Sequence, residues 1–334
     1  MRRCELTLDV TGAAEAHAGP LHLAASVYLP DAATIGNPPI VMFAIPGGGY
    51  SRGYFDMHFA GHSGYSQAEH HVARGIVFVA VDPFGVGDSS LGDSAKISFA
   101  SLASTYDRAV RQVMDRLRAG TLTAGLPALP RAITVGIGQS MGGCISILAQ
   151  GRHMTFDALA TLGFSALHTV LPQRTDAARR QGIAAHDYGR APVLTATTIA
   201  ESSAKVPDFV YPFHWEDVPG DILAADMEGG YPLRNTVPPF GSATIPRCAV
   251  LMMTPGIVKA DAAAIKVPVL VGVGERDTCP DPHAEPAAFP ASMDVSVYVV
   301  PRMAHMHNFG GTRRRLWDRL VAWSAAVAHD TVGV

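Results

Sequence analysis

The stretch AITVGIGQSMGGCISILAQ, residues 132–150, decides the fold of this chain. Its first four residues are a continuous apolar run, which is typical of a buried strand. After Ser140 a second apolar stretch, residues 144–150, is able to continue as a helix. Glycines crowd the positions between them, where a chain must turn sharply. The pattern predicts a strand, a tight turn with Ser140 at its apex, and a helix.

The glycines on either side of Ser140 have a steric reason. Gly138 and Gly142 stand two residues from the apex, where the chain passes close to itself and to adjacent strands, so a Cβ would clash. The helix that follows directs its first N–H groups towards the apex, where they stabilise developing negative charge. This geometry favours a nucleophilic serine. A dinucleotide loop is disfavoured, because the glycines from Gly136 to Gly143 do not form G-x-G-x-x-G and lie mid-chain.

A serine nucleophile needs a base and an acid, and two downstream strand ends offer them. The apolar run 267–273 leads into Gly-Glu-Arg-Asp277, and the run 295–300 leads into a loop containing Ala304 and His305. The order serine, acid, histidine, with each residue after a strand, suits a catalytic triad. We predict Ser140 as nucleophile, His305 as general base and then acid, and Asp277 as the residue that orients the imidazole.

Each partner has a neighbour that competes for its role. Glu275 is the alternative acid, but Asp277 lies further past the strand, where the loop is able to reach a histidine. His307 is the alternative base, but the small Ala304 and the short loop from the strand favour His305. The histidine that is not the base is expected to be a structural neighbour with its polar atoms satisfied.

An oxyanion site is expected at Pro-Gly-Gly-Gly-Tyr, residues 46–50, which follows the apolar strand 39–45. Glycines let backbone N–H groups approach a substrate oxygen without obstruction by side chains. The N–H of Gly48 and that of Met141 are the predicted donors, with Gly49 as a near alternative to Gly48.

The rest of the chain alternates strands and helices, which predicts a mostly parallel sheet with helices on both faces. Residues 1–166 and 263–334 are assigned to this α/β core. Residues 167–262 break the rhythm and are expected to form an inserted cap. In the cap, aromatic residues alternate and either fill its own core or roof the substrate; both interpretations favour an apolar substrate. The predicted strands are 4–10, 21–29, 39–45, 75–81, 132–135, 159–164, 267–273 and 295–300, the predicted helices are 63–74, 99–119 and 311–328, and the aromatic residues are Phe209, Tyr211, Phe213 and Trp215.

These motifs together resemble the α/β-hydrolase superfamily, and they cover nearly the whole chain outside the cap. The residues that carry the resemblance are PGGGY (46–50), DPFGVGDSS (82–90), GQSMG (138–142), GERD (274–277) and MAHMHNF (303–309). Pro46 departs from the pattern, since many relatives carry histidine before the glycines. PGGGYSRGYFD and AHMHNFGGTRRRLWD are also similar to actinobacterial esterases and lactonases, including zearalenone-type lactone hydrolases.

The resemblance implies a cofactor-free serine hydrolase that cleaves an apolar carboxylic ester or lactone, such as an aromatic macrolactone, through an acyl-enzyme. An acyltransferase or a hydrolase of carbon–carbon bonds on the same triad is an alternative, and so is a non-catalytic ligand-binding protein on this scaffold. Epoxide hydrolases and dehalogenases of this type use aspartate where Ser140 stands.

The amino-acid composition limits the classes of partner that are expected for this chain. Charged residues make up 16% of the 334 residues and the net charge is −3, so a nucleic-acid partner is not expected. We expect no signal peptide, no membrane span and, with four scattered cysteines, a reduced cytoplasmic protein. A homo-oligomer is expected on general grounds. No metal site is expected, although Asp281, His283 and Glu285 accompany the two late histidines. His70 and His71 are expected to be solvated on their helix.

Overall fold

The apolar runs of the sequence form an eight-stranded sheet in the computed structural model, which describes residues 1–178, 199–204, 206 and 208–332. The spatial order is β1-β2-β4-β3-β5-β6-β7-β8. The pairs β1–β2 and β2–β4 are antiparallel, and the other neighbours are parallel. The strands are β1 Arg2–Asp9, β2 His22–Leu29, β3 Ile40–Ile45, β4 Val77–Val81, β5 Ile133–Gln139, β6 Ala158–Leu162, β7 Val269–Arg276 and β8 Val295–Ala304. The predicted mostly parallel sheet is confirmed.

Capping residues define both ends of the helix Phe99–Ala119. This helix, α2, starts after Ser98, whose hydroxyl accepts the Ser101 N–H in a capping box, and ends at Gly120 with φ 68°. The α-helices are α1 Gln67–Val72, α2 Phe99–Ala119, α3 Met141–His153, α4 Ile199–Ser203, α5 Val210–Phe213, α6 Gly220–Met227, α7 Lys259–Ala263 and α8 Arg313–Val332.

The sheet is covered on both faces. Alternate residues of β3 enter different apolar clusters, since Val41 and Phe43 pack with α2, α3 and α7, while Met42 packs with α1 and α8. This alternation follows from the two-residue period of a strand, and two buried faces require apolar residues at successive positions. It explains why β3 and β4 are buried at every residue.

Residues 163–268 connect β6 to its neighbour β7 and contain α4 to α7. Their backbone meets the carboxyl ends of the sheet: Tyr50 bridges Gly241, and the His305 N–H donates to the carbonyl of Pro212 at 3.0 Å. The predicted cap, residues 167–262, falls within this segment, and its residues 179–198, 205 and 207 lie outside the described part of the chain. Its role as a cap stays a prediction.

The expectation that His70 and His71 are solvated is wrong. The short helix α1 packs against both β4 and α8. The ring of His71 lies 5.3 Å from that of Phe78, and the ring of His70 lies 5.2 Å from that of Trp317. The His71 residue is fully buried, and only 8% of the His70 side chain is exposed.

Within the described residues, no helix has both the length and the apolar character that crossing a membrane requires. Cytoplasmic location and a homo-oligomeric state stay predictions.

Candidate active site

Ser140 occupies the turn between β5 and α3 in a backbone conformation that side-chain-bearing residues rarely adopt, with φ 53° and ψ −116°. Its N–H donates to the carbonyl of Leu162 at 2.8 Å, which ties the turn to the neighbouring strand. A Cβ on Gly138 would overlap the carbonyl of Gly142, and one on Gly142 would overlap that of Ile45. The turn therefore requires both glycines, as the steric argument from the sequence predicts.

The structure brings Ser140, His305 and Asp277 together at the carboxyl ends of β5, β8 and β7. His305 Nε2 lies 2.9 Å from Ser140 Oγ, and His305 Nδ1 lies 2.7 Å from Asp277 Oδ1. The histidine is 2% exposed and the aspartate 7%. This chain of hydrogen bonds has the geometry in which an imidazole accepts a hydroxyl proton while a carboxylate orients its other nitrogen.

The Asp277 carboxylate accepts four hydrogen bonds. Besides His305, its donors are the N–H of Thr278 to Oδ1 at 2.7 Å, the N–H of Gly274 to Oδ2 at 2.8 Å, and His307 Nε2 to Oδ2 at 2.6 Å. Burial alone would raise the pKa of Asp277, but the two imidazoles and their hydrogen bonds hold it well below its ordinary value. Asp277 is therefore a negatively charged carboxylate in the folded protein at neutral pH.

The two competing residues, Glu275 and His307, make different contacts from those of the predicted pair. The Glu275 side chain accepts the N–H of Arg302 at 2.8 Å, away from His305. His307 contacts the second oxygen of Asp277, whereas Ser140 bonds to His305. The geometry favours the predicted pair.

The glycine turn after β3 lies beside Ser140. Gly48, Met141, Ser140 and His305 line one cavity. The Gly48 N–H donates to no acceptor within the described part of the chain, and Met141 opens α3, so its N–H has no acceptor in a preceding helical turn. Gly49 is not among the described residues that line this cavity. Gly48 thus fits the oxyanion role better than Gly49.

The cavity has a volume of about 140 Å³ and opens to solvent at its mouth. Among the described residues that line it, His305 carries an imidazole, and Thr169, Ser203 and Thr278 carry hydroxyls in addition to those of Ser140 and Tyr231. The remaining lining is apolar or aromatic: Phe164, Leu171, Ile199, Val206, Phe209, Phe213, Tyr231, Pro232, Ile245, Ala249, Val250, Met252 and Met253. Such a lining suits an uncharged, apolar ligand.

The alternating aromatic residues divide between the two roles considered for them. Phe209 and Phe213 line the cavity, and the Phe213 ring lies 5.1 Å from that of His305. Tyr211 and Trp215 stack instead on the Arg276 guanidinium, at 4.0 and 4.5 Å from ring centre to Cζ.

The sequence did not predict a buried polar cluster that lies beside the glycine turn. Asp226 binds Arg234, His214 and the hydroxyl of Tyr50, and the side chains of all three charged or imidazole members are at most 1% exposed. Asp226, Arg234 and His214 come from the segment that breaks the rhythm of strands and helices in the sequence, so only the buried ionic contacts in three dimensions identify them.

Among the described residues, no group of three or more histidine, cysteine, aspartate or glutamate side chains is arranged so that it could hold a metal ion. Glu285, one of the acidic residues near the late histidines, is buried and accepts hydrogen bonds from Ser165 and from the N–H of Ala166. The expectation that no cofactor is needed stays a prediction.

The sequence matches no protein-family model and none of the curated proteins. Solved structures are similar over nearly the whole chain. A thermophilic esterase from Thermogutta terrifontis, solved with malate, has 14% identity and a TM-score of 0.62, covering 97% of this chain and 99% of its own. The proline iminopeptidase of Mycobacterium smegmatis has 16% identity and a TM-score of 0.61, covering 98% and 100%. A variant haloalkane dehalogenase from Bradyrhizobium elkanii has 15% identity and a TM-score of 0.60, covering 99% of each chain.

Neighbours with such different activities at such low identity share an architecture rather than a reaction. The resemblance to zearalenone-type lactone hydrolases stays a prediction. Sheet order, the serine turn and these neighbours agree on one conclusion: the chain has the α/β-hydrolase fold.

Proposed function

We propose that the protein is a serine hydrolase that cleaves the carboxylic ester or lactone bond of an apolar substrate through an acyl-enzyme. The observation that carries this proposal is the hydrogen-bonded line from Ser140 Oγ through His305 to Asp277, set in the wall of an apolar cavity.

In the proposed reaction, His305 Nε2 takes the hydroxyl proton as Ser140 Oγ attacks the carbonyl carbon. The negative charge that forms on the carbonyl oxygen is stabilised by the N–H groups of Gly48 and Met141. Each such donor contributes roughly 3 kcal/mol to the transition state. His305 then gives its proton to the leaving alkoxide oxygen, and the alcohol departs. A water molecule, deprotonated by His305, releases the acid and restores Ser140.

The residues that line the cavity favour an uncharged substrate. Because its lining is apolar and offers no guanidinium or ammonium group among the described residues, a carboxylate on the substrate would lose hydration without gaining a partner. Phe164, Phe209 and Phe213 line this space, so an aromatic acyl or alcohol group fits the lining. In a lactone the alcohol stays attached after ring opening, which calls for room on both sides of Ser140. We propose that residues 167–262 act as the cap over this space.

Acyl transfer and carbon–carbon hydrolysis use the same three residues and remain alternatives. A purely ligand-binding role is less favoured, because a receptor has no need of a serine, a histidine and an aspartate in hydrogen-bonded series.

The test is hydrolysis of p-nitrophenyl esters from acetate to decanoate, small lactones and one aromatic macrolactone. Ser140→Ala is the blank, and Ser63→Ala, at an exposed serine, is the matched control. We expect turnover and fluorophosphonate labelling in wild type and in Ser63→Ala, and neither in Ser140→Ala. A lactone turned over far faster than the simple esters would identify a lactonase. A folded wild type that hydrolyses nothing and resists labelling would contradict the proposal.

A further inference from the structure

A buried ionic cluster joins the segment between β6 and β7 to the glycine turn after β3. Arg234 Nη2 lies 2.7 Å from Asp226 Oδ1, and Arg234 Nη1 also donates to the Asp226 carbonyl. The second oxygen of Asp226 accepts the Tyr50 hydroxyl at 2.7 Å and faces His214 Nε2 at 2.8 Å. The Asp226 carboxylate and the Arg234 guanidinium are thus buried together, and Tyr50 and His214 complete the partners of the carboxylate.

This cluster is directed at the carbonyl groups of the turn. The carbonyl of Gly49 accepts Arg234 Nε–H and the N–H of Ser242, both at 3.0 Å. The carbonyl of Gly48 accepts the Tyr231 hydroxyl at 3.0 Å. The carbonyl of Gly47 accepts the N–H of Tyr50 at 3.2 Å, within the turn itself. Every carbonyl of the three glycines is therefore occupied, and two of them are held by side chains from the inserted segment.

Three consecutive glycines have more backbone freedom than any other tripeptide, and Gly49 adopts φ 81°. A donor to a developing oxyanion is effective only if it is oriented before the reaction, because reorientation during the reaction costs energy. The glycines cannot supply this rigidity themselves. Hydrogen bonds to the carbonyls on both sides of the Gly49 Cα fix the two peptide planes that follow Gly48, and with them the path of the turn.

We propose that Tyr231 and Arg234 are positioning residues that hold residues 47–49 in the conformation that directs the Gly48 N–H into the cavity. Asp226 holds the guanidinium of Arg234 in place for this role. Although burial alone would raise the pKa of Asp226, its bond from His214 and the charge of Arg234 keep that pKa below its ordinary value, so the anchor stays charged. The inference rests on the proposed hydrolase function, since it assigns the turn as the oxyanion site.

The decisive variant is Tyr231→Phe, which removes the hydroxyl donor to Gly48 and keeps the ring. Tyr211→Phe is its matched control, because that ring lies in the same segment, outside the cavity lining, and stacks on Arg276. For Tyr231→Phe we expect kcat to fall about tenfold while KM for a p-nitrophenyl ester changes less than about twofold. The inhibition constant of phenylboronic acid, whose serine adduct places an oxygen in the oxyanion site, should rise by the same factor of about ten.

A second variant, Arg234→Lys, retains a positive charge beside Asp226 but loses the Nε–H donor to Gly49. It should show the same pattern, a lower kcat and weaker boronate binding with KM nearly unchanged, at a temperature where circular dichroism shows it folded. Tyr211→Phe should match wild type in all three quantities. A merely structural role of Tyr231 would lower the melting temperature without separating boronate affinity from KM.

The outcomes separate the two proposals. If wild type is active, but Tyr231→Phe and Arg234→Lys keep its kcat and boronate affinity within about twofold, the positioning role is wrong and the hydrolase proposal stands. If wild type neither turns over ester nor binds boronate better than Ser140→Ala, the hydrolase proposal fails, and the positioning role fails with it.

Discussion

His307 Nε2 lies 2.6 Å from Oδ2 of Asp277, on the carboxylate oxygen opposite to the one that bonds to His305. One buried carboxylate thus joins two imidazoles, only one of which reaches Ser140. Together with two backbone N–H donors, this arrangement leaves the carboxylate little freedom to rotate. His305 is oriented through Asp277, and Asp277 is oriented in part by His307.

Replacing His307 tests this support. His307→Phe retains a ring but removes a donor to a buried charge, so we expect a loss of about 2 kcal/mol in the free energy of unfolding and a kcat lowered several-fold. His307→Gln places an amide N–H near the former Nε2 and should recover most of both. Urea denaturation at pH 7 and ester hydrolysis measure the two effects. Equal behaviour of the Phe and Gln variants would show that the hydrogen bond to Asp277 is not what His307 contributes.

The backbone of Ser140 leads to a second prediction. Ser140→Ala and Ser140→Gly both remove the hydroxyl and its contact with His305, so they differ only in the Cβ. At φ 53° and ψ −116° a Cβ is strained, whereas glycine is not. We expect Ser140→Gly to exceed Ser140→Ala by about 1 kcal/mol in the free energy of unfolding, despite the greater flexibility of glycine in the unfolded chain. A less stable glycine variant would mean that the turn stores no such strain.

Adjacent glycines of the oxyanion turn should respond differently to the same substitution. A Cβ on Gly48 would lie 3.7 Å from Ile245, an ordinary contact. A Cβ on Gly49 would lie 3.0 Å from the Tyr231 ring and 3.1 Å from the Pro232 carbonyl, at φ 81°. Gly49→Ala should therefore lose more than about 1 kcal/mol of stability, and Gly48→Ala less than about half of that. Differential scanning calorimetry of the two variants compares them directly, and equal losses would contradict the assigned turn conformation.

The sequence predicted those parts of the fold that local patterns encode. The helix at residues 99–119 has the observed bounds because its apolar face and its Ser98 and Gly120 caps are all local. The serine turn was likewise predictable, since its glycines are required sterically by close approach of the backbone. Strand ends were less well defined: β8 continues to Ala304, four residues past the apolar run, because pairing with β7 resumes after a register shift.

Contacts between distant residues could not be read from the sequence. Asp226 and Arg234 resemble ordinary surface charges until the fold buries them beside Tyr50, which is 176 residues from Asp226. The expectation for His70 and His71 was wrong for the same reason. Helix α1 packs between the sheet and α8, so that His71 contacts Phe78 of β4 and His70 contacts Trp317 of α8. Burial of a polar residue depends on which elements meet, and periodicity within one element does not contain that information.

Burial of His71 makes stability depend on pH in a defined direction. Its Nδ1 faces the Gln67 carbonyl at 2.8 Å, and burial lowers the pKa of its imidazole to about 3. In the unfolded chain a histidine titrates near 6.5. Between these values the unfolded state binds a proton that the folded state does not, so stability is complete above pH 6.5 and is lost as pH falls towards 3. At pH 5 the loss amounts to about 2 kcal/mol.

His71→Leu removes this titration and replaces the imidazole with an apolar side chain of similar size. The free energy of unfolding of wild type should therefore fall between pH 7 and pH 5 by about 2 kcal/mol more than that of His71→Leu. His329→Gln, at a side chain that is 89% exposed, is the matched control and should follow wild type. Urea denaturation of the three proteins at both pH values gives the comparison. Parallel losses in wild type and His71→Leu would show that His71 takes up its proton in the folded state as readily as in the unfolded chain.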